Sequence, residues 1–224
     1  MQLPYSAFLF DLNGTMVNDM AYHCDAWYSV VQSLGSTITK EQMEHEMYGK
    51  NEEVLNRIFG KGHFSMEQMH QIGMQKEVLY QQAYLPHLQL IKGLPQLLAA
   101  ANKRGIQMAI GSAAIPFNID FVLDNLQLRH YFSTIVSANE VIESKPNPEV
   151  FLKCANQLGV APKDCIVFED APKGVESAWN AGMNCIVLTT MHAKESFSTY
   201  SNVLAFVDDY TDPNLAEILG FVAE

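Results

Sequence analysis

The chain has 224 residues, 48% of them hydrophobic, with 14 Lys and Arg against 25 Asp and Glu and a formal charge of −11. That length suits one compact domain, or a core with a modest insertion, and the apolar content excludes a disordered chain. A chain this acidic is a poor candidate for binding nucleic acid through the phosphate backbone, and any chemistry on phosphate esters would need local cations or a metal.

The four cysteines, Cys24, Cys154, Cys165 and Cys185, form no Cys-x-x-Cys pair and no zinc-finger spacing with the seven histidines. Cys165 and Cys185 sit in apolar runs that read as core strands. The apolar runs are too short to span a bilayer, and Met-Gln-Leu-Pro-Tyr has no basic leader pattern. A cytoplasmic, reduced protein without a membrane role is expected.

In chain order, the first predicted strand is Ala7 to Phe10. Polar helical patterns follow from about Ala21 to Tyr84, punctuated by Gly35, Gly49, Gly60 and Gly62, with no convincing strand. The methionines Met43, Met47, Met66, Met69 and Met74 in this stretch are expected to fill a helical core. The character changes around Pro86 to Gly93. Strands are then predicted at Ile106–Gly111, Thr134–Ser137, Cys165–Phe168, Asn184–Leu188 and Val203–Val207. Helices are predicted near Pro116–Leu126, Pro148–Leu158 and Pro172–Ala181. Strands alternating with helices argue for a parallel, doubly wound sheet. The helical excursion is then an insertion, a cap over the strand ends. Residues 1–16 and 89–224 are assigned to the core and 17–88 to the cap.

Polar residues follow four of these strands. Phe8-Leu-Phe-Asp-Leu-Asn-Gly-Thr15 runs an apolar strand into Asp11 and a glycine turn. A carboxylate at a strand end can attack phosphorus, although taken alone Asp11 could equally cap a turn. Ser112 and the amides after it, beginning with Ala113, can donate to phosphate oxygens, or Ser112 can simply cap a helix. Lys145 precedes Pro146-Asn147-Pro148, which holds it in an extended loop. There it can offset a carboxylate and a phosphoryl group, or remain a solvated lysine. Glu169 and Asp170 are adjacent acids that repel unless a cation lies near, and hard oxygen ligands suit Mg²⁺.

In that order and context the four segments resemble motifs one to four of the haloacid dehalogenase superfamily. Tyr22-His23, Ala26-Trp27, Tyr48-Gly49-Lys50-Asn51, Lys145-Pro-Asn-Pro-Glu and Glu169-Asp-Ala-Pro-Lys-Gly-Val resemble the β-phosphoglucomutase-like phosphatase subfamily. The resemblance implies an α/β fold, a Rossmann-like parallel core with an inserted four-helix cap. It also implies Mg²⁺-dependent phosphoryl transfer from a small phosphorylated metabolite through an aspartyl-phosphate. By carry-over, Asp11 is nucleophile and metal ligand, the Asn13 carbonyl and Asp170 are further ligands, and Glu169 lies beside them. Ser112, with Ala113, and Lys145 hold the phosphoryl group. In the cap, His23, Trp27, Gly49, Lys50, Asn51 and Lys76 are candidate substrate contacts. His23 and Trp27 lie on one helix face, where a half-buried structural role is as plausible for His23. For Lys50 and Lys76 a surface role is at least as plausible.

Position 13 departs from the motif. The family's acid/base residue falls there, and asparagine cannot move that proton. The change is engineered, or native to a slow member, or offset by another group, His23 being nearest in sequence. An arginine that holds the second phosphate in β-phosphoglucomutase falls near Glu52, which argues against a mutase, although Lys50 could compensate. The leading expectation is a monomeric Mg²⁺-dependent phosphatase, sugar phosphates being the first guess. β-Phosphoglucomutase, inorganic pyrophosphatase and a catalytically weak protein that binds phosphate metabolites remain as alternatives.

Overall fold

A computed structural model describes residues 4–221. The chain folds as two compact units: Asp19–Leu88 makes one, and the chain before and after that segment makes the other. The elements in order are β1 (Ala7–Phe10), α1 (Met20–Ser33), α2 (Lys40–Glu46), α3 (Asn51–Phe59), α4 (Met66–Tyr84), α5 (Leu94–Lys103), β2 (Gln107–Gly111), α6 (Pro116–Asn125), β3 (Thr134–Val136), α7 (Glu149–Leu158), β4 (Cys165–Glu169), α8 (Pro172–Asn180), β5 (Asn184–Leu188), β6 (Val203–Val207) and α9 (Asn214–Ile218).

Among the described residues the six strands form one sheet in the order β3-β2-β1-β4-β5-β6, and the pairings are parallel. Every residue of β1 and β4 is buried, as expected for parallel strands covered on both faces, which read as continuous apolar runs. On one face Leu9, Ala109, Val167 and Val187 pack with Phe151 and Cys154 of α7 and Val175 of α8. On the other, the Phe10 and Phe168 rings stack at 4.7 Å with planes 8° apart. Helix α7 buries Val150, Phe151, Cys154, Ala155 and Leu158, a one-sided helical stripe. It stops at Gly159 in the left-handed conformation.

The order of the strands positions the site. The chain moves outward from β1 through β2 to β3, then returns to the other side of β1 with β4. In the β1–β4 register Phe10 pairs with Phe168, and Asp11 N–H donates to the Phe168 carbonyl at 3.0 Å. The residues that follow β1 and β4 therefore emerge side by side at a switch point, where open parallel sheets hold their ligands.

The 19–88 unit is helical. Its core gathers Cys24, Trp27, Val30 and Val31 of α1, Met43 of α2, Val54 and Leu55 of α3, and Met69 and Ile72 of α4. Capping boxes start α2, from Thr39 to Gln42, and α4, from Ser65 to Gln68. Of the methionines expected to fill this core, Met43 and Met69 are buried and Met47 packs against it. Met66 is 68% exposed, because it is the first residue of α4 and precedes the buried stripe. Among the described residues no helix is long and apolar enough to cross a membrane.

Candidate active site

At the switch point Lys145 Nζ donates to Asp11 Oδ1 at 2.6 Å and to Glu169 Oε1 at 2.7 Å. The lysine reaches from the loop between β3 and α7, and its side chain is 9% exposed. Burial opposes its charge, but Asp11 and Glu169 more than offset that penalty and hold its pKa above the ordinary lysine value. Lys145 thus offsets the charge of two strand-end acids, Asp11 and Glu169.

Glu169 and Asp170 leave the end of β4 in different directions, as successive strand side chains do. Glu169 turns toward α8, where its Oε2 accepts the N–H groups of Asp170 and Ala171 at 2.8 and 2.9 Å. Its Oε1 fills the space of a missing side chain, since a Cβ on Gly174 would lie 1.7 Å away. Both oxygens of Glu169 are therefore committed to protein donors. Asp170 turns toward the β1 turn, where its Oδ1 accepts the Thr15 hydroxyl at 3.3 Å. Its Oδ2 packs on Gly14, whose φ is +77° and whose Cβ, if present, would lie 2.0 Å from that oxygen. A side chain at position 14 is excluded by both the backbone conformation and this contact.

Ser112 follows β2, the neighbour of β1, and its Oγ accepts the Ala114 N–H at 3.1 Å. Ala113 lies between them, in the turn before α6. Asn13 lies in the turn after Asp11 and bridges to Val17.

The candidate residues of the helical unit form a second cluster, described within that unit. Lys76 is 3% exposed. Its Nζ lies 2.7 Å from His23 Nδ1 and donates to Glu77 Oε2 at 2.9 Å. Glu77 Oε1 accepts from Asn51 Nδ2 at 3.0 Å, and the Trp27 ring lies 5.3 Å from Lys76 Nζ. His23 stacks on Tyr80 at 3.7 Å, and the Tyr80 hydroxyl donates to Asp19 Oδ2 at 2.5 Å. Desolvation lowers the Lys76 pKa, and Glu77 and Asp19 work against that shift. With Lys76 charged, His23 accepts at Nδ1 and carries its proton on Nε2, which lies 3.5 Å from Asp19 Oδ2.

The structure thus brings His23, Trp27, Asn51 and Lys76 together. The burial of Lys76 excludes the surface role weighed beside substrate contact for it. Sequence reasoning did not name Asp19, Glu77 or Tyr80. Met69, Ile72, Gly73, Lys76, Glu77, Tyr80 and Tyr84 are all buried in α4, and that helical spacing is the signal that could have marked Lys76 and Glu77 as interior. Gly49 and Lys50 lie in the turn before α3, with the Lys50 N–H on Glu53 Oε2 at 2.9 Å. Arg57 holds that turn. Its guanidinium donates to the carbonyls of Glu46 and Tyr48 and lies 3.7 Å from the Tyr48 ring centroid.

An open parallel sheet with a lysine-bridged acid cluster at its switch point defines a class of α/β enzymes, and the comparison with known proteins says which. Residues 8–188 match the haloacid dehalogenase-like hydrolase family, and the chain belongs to it. Fructose-1-phosphate phosphatase YqaB of Escherichia coli is 28% identical, over 81% of this chain and 95% of that protein. Beta-phosphoglucomutase of Bacillus subtilis is 29% identical, over 79% of this chain and 80% of that one. The crystal structure of beta-phosphoglucomutase from Clostridium difficile superposes with a TM-score of 0.83 at 26% identity, covering 97% of this chain and 98% of that one. The chain is an enzyme of this family with β-phosphoglucomutase-like relatives.

Proposed function

We propose that the protein is an Mg²⁺-dependent phosphatase acting on a small phosphorylated metabolite, a sugar phosphate in the first instance, through an aspartyl-phosphate on Asp11. The observation that carries this reading is the Lys145 bridge between Asp11 and Glu169 with Asp170 beside it. The named phosphatase relative, whose substrate is fructose 1-phosphate, favours hydrolysis of a sugar phosphate.

The donor set fits a magnesium ion. Asp11, Glu169 and Asp170 are buried carboxylates that outnumber the single ammonium bridging two of them, and Mg²⁺ needs only one or two carboxylates, with waters and phosphate oxygens completing its shell. Asp11, Asp170 and the Asn13 carbonyl would hold the ion. Glu169, whose oxygens are taken up by Lys145 and two backbone N–H groups, acts instead by orienting Lys145. When bound, the ion would offset negative charge on the phosphoryl oxygens.

An Asp11 carboxylate oxygen forms the new bond to phosphorus while the bond to the substrate's alkoxide breaks. Lys145 and the Ser112–Ala113 turn hold the phosphoryl oxygens. Water then attacks the acyl phosphate, releasing phosphate and regenerating Asp11. Both steps need a proton carrier next to the nucleophile, and Asn13 cannot serve. His23 is engaged with Lys76 through Nδ1, which weakens its claim to that role. Turnover is therefore slow, by about 10²–10⁴-fold relative to a chain with a working acid/base there. Gly49, Lys50, Asn51, His23, Trp27 and Lys76 are proposed to recognise the rest of the substrate.

A phosphate-release screen with Mg²⁺ tests the reading. Fructose 1-phosphate, β-glucose 1-phosphate and inorganic pyrophosphate would be compared for this chain, Asn13→Asp and Asp11→Ala. Release from a sugar phosphate, lost in Asp11→Ala, is expected. A chain whose Asn13→Asp form stays inactive on the whole panel would be a phosphate-metabolite-binding protein instead.

A further inference from the structure

The turn after Asp11 is held by side chains from the far end of the chain. Gly14 N–H donates to the Val17 carbonyl at 2.8 Å and Met16 N–H to the Leu12 carbonyl at 2.8 Å. These bonds close the turn, and peptide planarity then points the Asn13 carbonyl away from Val17. The next three carbonyls each accept from a different segment. Thr190, just beyond β5, donates its hydroxyl to Gly14 O at 2.6 Å. Tyr210, just beyond β6, donates its hydroxyl to Thr15 O at 2.9 Å. Ile91 N–H donates to Met16 O at 2.9 Å.

Tyr210 is itself anchored. Its N–H donates to the Lys92 carbonyl at 3.0 Å, and its ring packs on Phe168 at 5.7 Å. Gly93 makes room for it, since a Cβ there would lie 2.6 Å from the Tyr210 carbonyl carbon. The turn needs neither hydroxyl to close. Both pin carbonyls in the stretch that carries Gly14, against which Asp170 packs, and Thr15, which donates to Asp170.

We infer that Thr190 and Tyr210 are positioning residues that hold the Asp11–Asn13 turn in the orientation needed to bind the metal ion. The inference rests on the proposed Mg²⁺-dependent reading. Removing the Tyr210 hydroxyl takes a donor from the buried Thr15 carbonyl, which then moves toward water or another donor and carries the turn with it.

Calorimetric titration with MgCl₂ alone, beside thermal unfolding, tests this on the full chain, Tyr210→Phe, Thr190→Val and Thr190→Ser. Tyr210→Phe and Thr190→Val should bind Mg²⁺ about 10–100-fold more weakly, while Thr190→Ser, which keeps the hydroxyl, should bind like the parent. Should Tyr210→Phe fail to fold, the contrast between Thr190→Val and Thr190→Ser decides. Parent-like Mg²⁺ affinity in folded Tyr210→Phe and Thr190→Val overturns the inference alone, whatever their thermal midpoints. Absence of Mg²⁺ binding by the parent overturns the phosphatase reading and the inference together.

Discussion

Lys145 concentrates the physics of the site in one side chain. Two buried carboxylates meet one ammonium at 2.6 and 2.7 Å, and the lysine pKa is raised in consequence. Replacing it by a neutral residue leaves Asp11 and Glu169 buried without their partner. Removing one member of such a set costs about 3–5 kcal/mol. Lys145→Met should therefore lower the unfolding free energy by about that amount in urea titrations and abolish phosphate release. Parent-like stability would mean that the two carboxylates are solvated or protonated in the folded protein. Lys145 was readable in the sequence because two prolines follow it in the loop after a strand. Its partner Glu169 was read as a metal neighbour, and the structure commits both its oxygens to protein donors.

At the scale of elements, the switch between β1 and β4 sets Asp11 beside Glu169 and Asp170, and Lys145 reaches Asp11 and Glu169 from the loop after β3. The strands were legible because buried parallel strands are unbroken apolar runs. Helix α5 (Leu94–Lys103), with Gly93 and Pro95 at its start, and the short α9 were not assigned, since each lies beside turn residues. Thr190 and Tyr210 left no sequence signal, because a hydroxyl reaching a backbone carbonyl 176 or 195 positions away has no local pattern. Glu77, Asp19 and Tyr80, which pack around the named residues Lys76 and His23, were missed for a different reason. Charged residues in a helix are read as surface unless their spacing is weighed, and that of Lys76 and Glu77 matches the buried stripe of α4. The start of α4 supplies a test at this scale. Ser65 Oγ accepts from the Gln68 N–H at 3.2 Å, and Gln68 Oε1 accepts from the Ser65 N–H at 2.8 Å. Ser65→Ala should cost about 1 kcal/mol of stability and leave phosphate release unchanged. A change in rate without a change in stability would contradict the assignment of Ser65 as a cap alone.

For the molecule as a whole, the thiols report on how tightly the core is closed. All four cysteines are buried. Burial raises Cys24 and Cys165 to about 11 and Cys154 to about 12, and it raises Cys185 as well. The neutral thiol is thus favoured in the folded state. Above the unfolded value of 9.0 the unfolded chain releases protons that the folded chain keeps, so the thiols' contribution to stability falls as pH rises from about 9 toward 11. None should react with a thiol reagent at pH 8 until the protein unfolds, when all four should. Rapid labelling of the native protein would show that the core opens. In the proposed reaction Asn13 stands where a proton carrier is needed beside Asp11. Side-by-side phosphate release from a sugar phosphate with Mg²⁺, by this chain and by Asn13→Asp, tests that most directly. The predicted result is a rise of about 10²-fold or more in Asn13→Asp with little change in KM. Equal rates in the two proteins would contradict it and show that another group moves the proton.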